Sequence, residues 1–138
     1  MRLFESSEQA EAAFYDAFER ADMDAMREVW ADERGVCCVH PGGERLDGVA
    51  AVMDSWASIL ADGPMLRFRI THRQVRVSGD LAVHVLRENL YVDGALRGVA
   101  LATNAYRRGE SGWRMILHHA APDPNPPGIE PPAPGGVH

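Results

Sequence analysis

The stretch Leu81–Arg107 reads LAVHVLRENLYVDGALRGVALATNAYR. Asp93-Gly94 in its middle is a two-residue hairpin signal, because a tight turn needs positive φ values that Gly and Asp accept at low cost. The flanks are rich in Val, Leu, Ala and Tyr, which predicts strands over Leu81–Val92 and Ala95–Arg107. With Val92 paired to Ala95, Glu88 is expected to face Val99, Leu86 to face Leu101 and His84 to face Thr103. Upstream, Leu66, Phe68 and Ile70 alternate with Arg67, Arg69 and Thr71, then the apolar parity flips to Val75 and Val77. Such a flip predicts a β-bulge near His72–Gln74 that bends the sheet. Ser78-Gly79-Asp80 and Gly109–Gly112 read as turns, and Trp113–Ala121 as the last strand of a four-stranded meander.

The first half has helical spacing. Ser6 or Ser7 reads as an N-cap, with Gln9 at capping-box distance from Ser6, followed by Ala10, Ala13, Phe14, Ala17, Phe18 and Ala21. Asp22 predicts the cap of a short second helix carrying Met23, Met26, Val29 and Trp30. Val36–Val39 is a short strand ended by the turn His40-Pro41-Gly42-Gly43. Asp47 is the expected cap of a third helix to about Leu60, with Val49, Val52, Met53, Trp56, Ile59 and Leu60 on its apolar stripe. Segregated helices and strands make the class α+β. A bent sheet wrapped around helices leaves a conical pocket, and a partner subunit is the expected cover for its convex face.

The chain has 138 residues, enough for one domain with its own core. Net charge is −6, and all 14 basic residues are Arg. An acidic chain without a basic stripe is not expected to bind nucleic acid. No apolar run approaches the roughly 18 residues that span a bilayer, and the N-terminus turns acidic at Glu5, so a soluble cytoplasmic protein without membrane contact is expected. Cys37 and Cys38 are adjacent, which disfavours a disulfide and reads as two strand residues facing opposite ways. Seven of the nine prolines fall in Pro122–Pro134, so the domain is expected to span 1–122 and 123–138 to form an extended or disordered tail.

Several segments resemble the nuclear transport factor 2-like superfamily, in particular its SnoaL-like branch related to ketosteroid isomerases. Arg20–Met26 followed by Val29-Trp30-Ala31-Asp32-Glu33 is similar to the helix-two region of those isomerases, and Val39–Gly43 with Leu46-Asp47-Gly48 is similar to the strand and turn that follow. Tyr91-Val92-Asp93-Gly94 through Trp113–His119 resembles the terminal strands of the calcium/calmodulin-dependent kinase association domain. The resemblance implies a cone-shaped, cystatin-like fold and a homodimer built sheet on sheet. It also implies one small-molecule pocket per subunit.

The resemblance assigns to that pocket the face bearing His84, Leu86 and Glu88 on one strand and Leu101 and Thr103 on the next. It places Cys38, His40, Leu117 and His119 inward as well, with Phe14, Trp30 and Trp56 beneath. Val83, Val85, Asn89, Tyr91, Ala102 and Asn104 then form the dimer face, and His118 points outward. His40 falls where the isomerases carry their catalytic Asp, which implies a general base, although pinning the turn before Pro41 is an equal reading. Glu88 reads as an acid, as the group that orients a catalytic His, or as a buried structural lock paired with Arg or His, and His119 as a ligand contact or a core residue. The isomerases' oxyanion Tyr falls on Phe14, beside Tyr15, and their protonated Asp near Thr103. Loss of those donors removes what is usually the largest catalytic term.

The expected function is binding of a small hydrophobic molecule, with proton-transfer chemistry of isomerase, cyclase or dehydratase type at His40, Glu88 and His119. No cofactor and no metal site are expected, since neither a phosphate loop nor a metal-ligand spacing is present. A non-catalytic binding or dimerisation module is the alternative. A third is an accessory protein whose Pro-rich tail recruits a partner.

Overall fold

A computed structural model describes residues 2–63 and 65–126. Helices α1 (Ser7–Arg20) and α2 (Met23–Val29) precede two short strands, β1 (Cys37–Val39) and β2 (Arg45–Asp47). Helix α3 (Val49–Ala61) leads into four long strands, β3 (Leu66–Ser78), β4 (Leu81–Val92), β5 (Ala95–Gly109) and β6 (Gly112–Pro122). They form one sheet in the order β2-β1-β6-β5-β4-β3. All neighbours run antiparallel except β1 and β6, which are parallel. The fold is the α+β, cystatin-like cone that the sequence implies.

Local chemistry starts the helices. Ser6 Oγ accepts from Gln9 N at 3.1 Å, satisfying one orphan donor of the first turn, while Gln9 Oε1 accepts from Glu5 N at 2.9 Å and ties down the residue before the cap. Asp22 Oδ1 accepts from Ala25 N at 3.0 Å and starts α2. The start of α3 differs from expectation. Asp47 is the last residue of β2, so its backbone stays extended, and Gly48, at φ 91°, turns the chain into the helix.

Among the described residues three bulges shape the sheet. The expected one lies between Thr71 and Gln74, with His72 at φ 56°. A second lies in β5, where Tyr91 pairs with Leu96 but Leu90 pairs with Gly98, leaving Arg97 as the extra residue. A third lies in β6, where Tyr106 pairs with Met115 but Ala105 pairs with Leu117, leaving Ile116 over. Each extra residue reverses which side chains face inward beyond it.

The β5 bulge corrects the expected pairing. The hairpin begins as expected with Val92 opposite Ala95, but beyond Arg97 Glu88 faces Ala100, Leu86 faces Ala102 and His84 faces Asn104. Ala102 and Asn104, expected on the dimer face, are buried inside the cone, while Leu101 is exposed on the outer face and Thr103 shares its parity there. On β6, His118 pairs with Asn104 and is buried, and His119 pairs with Thr103 and is exposed, the reverse of the expected orientation. Leu117, next to His118 on the strand, turns outward with His119.

Phe14, Phe18, Trp56 and Phe68 join helices to sheet, with ring centroids 5.4 Å apart for Phe14–Trp56, 4.9 Å for Phe18–Trp56 and 4.7 Å for Phe18–Phe68. At the opposite end, Trp30 leaves α2 in extended conformation and bridges Met115, with Ala31 N donating to Met115 O at 2.9 Å. Of the Pro-rich tail, Asp123 is tied to the sheet by its N–H to Val99 O at 2.9 Å and by its carboxylate to Arg87 Nε at 3.0 Å. Residues 127–138 of that tail lie outside the described residues.

Gly112 sits where the N-terminal segment crosses the sheet. Its φ is +92°, and a Cβ there would stand 2.5 Å from Phe4 O. Gly112→Ala is expected to lower unfolding free energy by about 1–3 kcal/mol in urea titration. Gly109→Ala, with open space around the new methyl, should leave the midpoint near that of the unaltered protein.

Candidate functional site

The wide end of the cone holds a cavity of about 310 Å³. Phe18, Ile59, Leu66, Phe68 and Leu90 give it an apolar wall, and Pro122 closes one rim. His40, Glu88 and His118 are the titratable side chains that line it. A larger groove of about 490 Å³ lies at the surface between the end of α1 and the β4–β5 turn, but it is bordered by exposed Arg67 with its loose 3.6 Å pairing to Glu19. The smaller cavity, with buried polar groups converging on apolar walls, has the character of a ligand site.

Beneath it lies a buried polar network centred on Glu11, which is fully buried on α1. Glu11 Oε2 accepts from Tyr106 OH at 2.9 Å and Asn104 Nδ2 at 3.2 Å, and lies 2.9 Å from His84 Nδ1. Arg73, an exposed residue within the β3 bulge, brings Nε to 2.8 Å from Oε1 as an ion pair without hydrogen-bond alignment. Burial alone would push the Glu11 carboxyl up. The hydrogen bonds from His84, Asn104 and Tyr106, with the charge on His84, outweigh it and hold the carboxyl below its ordinary range.

The network fixes protons nearer the cavity. An ionised carboxylate only accepts, so Asn104 must turn its NH2 toward Glu11. That NH2 also donates to Tyr15 OH at 3.1 Å, and Tyr15 OH donates to Glu88 Oε2 at 2.5 Å. Asn104 Oδ1 is then left facing His118 Nδ1 at 2.7 Å, so His118 carries its proton on Nδ1. Burial, with the nearby His40 and His119, pushes His118 down to about 3, and the ring is neutral at ordinary pH.

Glu88 has the opposite setting from Glu11. Burial raises its carboxyl, the Tyr15 hydrogen bond opposes, the negative charge of Glu11 adds to the rise, and the result is about 7. His40 is half-buried and lowered by burial. Ser55 Oγ spends its hydrogen on Val52 O at 2.7 Å, so toward His40 Nε2, 3.0 Å away, it accepts. His40 therefore carries its proton on Nε2, and Nδ1 is the basic nitrogen. Cys38 Sγ lies 3.6 Å from His40 Nε2, and burial, with the adjacent Cys37, pushes its thiol up to about 12, so it is no nucleophile at neutral pH.

The structure thus brings two expected residues, His40 and Glu88, to the cavity. Phe14, Cys38, Trp56, His84 and Leu86 are buried behind it, and His84 bridges Glu11 and Ser7 rather than facing a ligand. Trp30 belongs to the far end of the cone. Leu101, Thr103, Leu117 and His119 stand on the other side of the sheet, because of the β5 bulge and the register it sets on β6. Tyr15, not Phe14, sends its polar end into the network, with its hydroxyl committed to Glu88. Glu11 and Tyr106 are not found from the sequence, and Asn104 and His118 are set by it on the opposite face. The available signal was Glu11 itself, one turn before Tyr15 and flanked by the apolar stripe at Ala10 and Phe14. Among the described residues no cluster of three or more His, Cys, Asp or Glu is placed to hold a metal ion, and no helix is long and apolar enough to cross a membrane.

Comparison with known proteins comes to the same architecture. The sequence profile of the SnoaL-like domain matches residues 8–122. A calcium/calmodulin-dependent protein kinase type II association domain, provisionally assigned, from Thiobacillus denitrificans is 38% identical, with TM-score 0.84 over 89% of this chain and 99% of that one. A provisionally assigned dehydratase of the NTF2-like family from Streptomyces avermitilis is 36% identical, with TM-score 0.78 over 85% of this chain and 93% of its own. F-box protein SKIP8 of Arabidopsis thaliana is 27% identical over 108 residues, which are 78% of this chain and 46% of that protein, so the match spans about half its length.

Removing the centre of the network should be severe. Glu11→Ala strands Asn104, Tyr106 and His84 without their acceptor, and is expected to cost about 3–5 kcal/mol in urea unfolding. Glu88 gives a pH signature of definite sign. Its folded carboxyl is raised from 4.5 to about 7, so its contribution is full below 4.5 and is lost as pH rises through about 7. Unfolding titrations from pH 4.5 to 8 should show the native protein weakening by about 1–3 kcal/mol relative to Glu88→Gln. A constant difference would show that Glu88 titrates alike in both states. His118 acts oppositely: its depressed folded value makes its contribution full above about 6.5 and lost as pH falls toward about 3.

Proposed function

The chain belongs to the SnoaL-like family, and from that membership and the geometry of its cavity we propose that it binds a small apolar molecule and transfers a proton on it. The observation that carries this reading is one buried carboxyl, Glu88, set near 7 on the wall of an otherwise apolar cavity. An acid–base group works best when its protonation midpoint lies near the working pH. At that pH Glu88 exists in both forms, and Tyr15 holds Oε2 so that the carboxyl keeps one orientation. His40, neutral and with Nδ1 as its basic nitrogen, is the second group. His40 takes a proton from carbon or oxygen while protonated Glu88 delivers one elsewhere on the ligand. That pairing suits isomerisation or dehydration, and the similarity to a provisionally assigned dehydratase supports it.

The test uses 2-tetralone in deuterium oxide, followed by proton NMR. The protein should speed exchange of the α-protons over buffer by about 10²–10⁴-fold. Glu88→Gln and His40→Ala should each remove most of that gain while near-ultraviolet circular dichroism stays native. Binding of 2-tetralone without accelerated exchange would favour the non-catalytic binding module.

A second reading concerns assembly. Val83, Val85 and Leu101 are 37%, 47% and 42% exposed on the outer face of adjacent strands β4 and β5. A contiguous apolar sheet face of this kind is costly in water. We infer that it is covered by a second copy of the chain, in keeping with the similarity to an association domain. Sedimentation equilibrium should give a dimer, and Val85→Arg a folded monomer. A monomeric unaltered protein would end this reading.

A further inference from the structure

We propose that the cavity selects a ligand bearing a hydroxyl or other hydrogen-bond donor, received by Nε2 of His118, and that Asn104 is the positioning residue that keeps this nitrogen bare. The inference rests on the reading of this cavity as a ligand site and names the class of ligand it takes.

The geometry leaves His118 one tautomer. Asn104 cannot turn round, because its NH2 is engaged by the Glu11 carboxylate at 3.2 Å and by Tyr15 OH at 3.1 Å, whose own proton goes to Glu88. Its carbonyl oxygen therefore points at His118 Nδ1, 2.7 Å away, and a carbonyl can only accept. With the proton on Nδ1, Nε2 presents a lone pair. Among the described residues nothing hydrogen-bonds Nε2, and His118 lines the cavity. The ring cannot pivot freely either, packed 4.9 Å from Phe14 and 5.9 Å from Trp56, centroid to centroid. Nε2 opens on the cavity and is not sealed from water; a ligand that displaces that water and offers no donor leaves the acceptor unpaired, so a site of this kind discriminates by the missing hydrogen bond more than by shape.

Two apolar probes of nearly the same shape, 2-naphthol and 2-methoxynaphthalene, differ in that one donor. Isothermal titration is expected to show 2-naphthol binding about tenfold tighter. His118→Phe should bring the two affinities together while binding 2-methoxynaphthalene about as well as the unaltered protein does. Equal affinities in the unaltered protein, or a preference that survives His118→Phe, would overturn the inference and leave the cavity reading standing. Failure of both probes to bind would overturn the two together. Independently, nitrogen-15 NMR of histidine-labelled protein at pH 7 should show His118 protonated on Nδ1 with a bare Nε2, and Asn104→Ala should mix the tautomers. A protonated Nε2 in the unaltered protein would refute the assignment without any variant having to fold.

Discussion

Much of this molecule follows from one charge. Glu11 lies on the buried stripe of the first helix, and an ionised carboxylate out of water must be surrounded by donors. The sheet supplies them from two strands, His84 from β4 and Asn104 and Tyr106 from β5, and β3 adds the opposite charge of Arg73. None of these is near Glu11 in the sequence, so the carboxylate acts as a gauge of correct closure between helix and sheet. A misregistered strand would leave a charge without partners, which is costly in a low-dielectric interior.

The influence of that charge extends to the cavity by two routes. Through space, its negative field helps keep the Glu88 proton in place. Through hydrogen bonds, it orients Asn104, and Asn104 orients His118 and Tyr15. Two carboxyls in one cone thus take opposite roles. Glu11 is kept ionised by many donors, whereas Glu88, with a single donor and little water, is held near neutrality. Environments that drive similar groups apart are the usual means of obtaining acid–base chemistry from common side chains.

The bulges are the second constraint. Bending a sheet around a helix requires extra residues in some strands, and each reverses the inside–outside parity beyond it. The cone therefore owes its polar lining to where those residues fall. Without Arg97 as an insertion, Thr103 and Leu101 would line the interior, and Asn104 would look outward.

Sequence alone determined the helix caps at Ser6 and Asp22, the Asp93-Gly94 turn, the bulge near His72 and the family of the fold. These rest on local backbone chemistry or on residues adjacent in the chain, where spacing and side-chain type are enough. It also drew out His40, beside a Pro-Gly turn, and Glu88, a charge amid an apolar strand. Tertiary structure alone decided that His118 rather than His119 faces the cavity, that Asn104 rather than Thr103 serves it, and that Gly48 rather than Asp47 opens the third helix. The bulge at Ile116 leaves no break in the apolar pattern, and the one at Arg97 is marked by a single Gly98 within the strand, so one-residue register is hard to read from the chain. The network around Glu11 is invisible for a related reason: its hydrogen-bonding partners His84, Asn104 and Tyr106 lie 73 to 95 residues away from Glu11 along the chain, and only the closing of the cone puts their donors around one carboxylate.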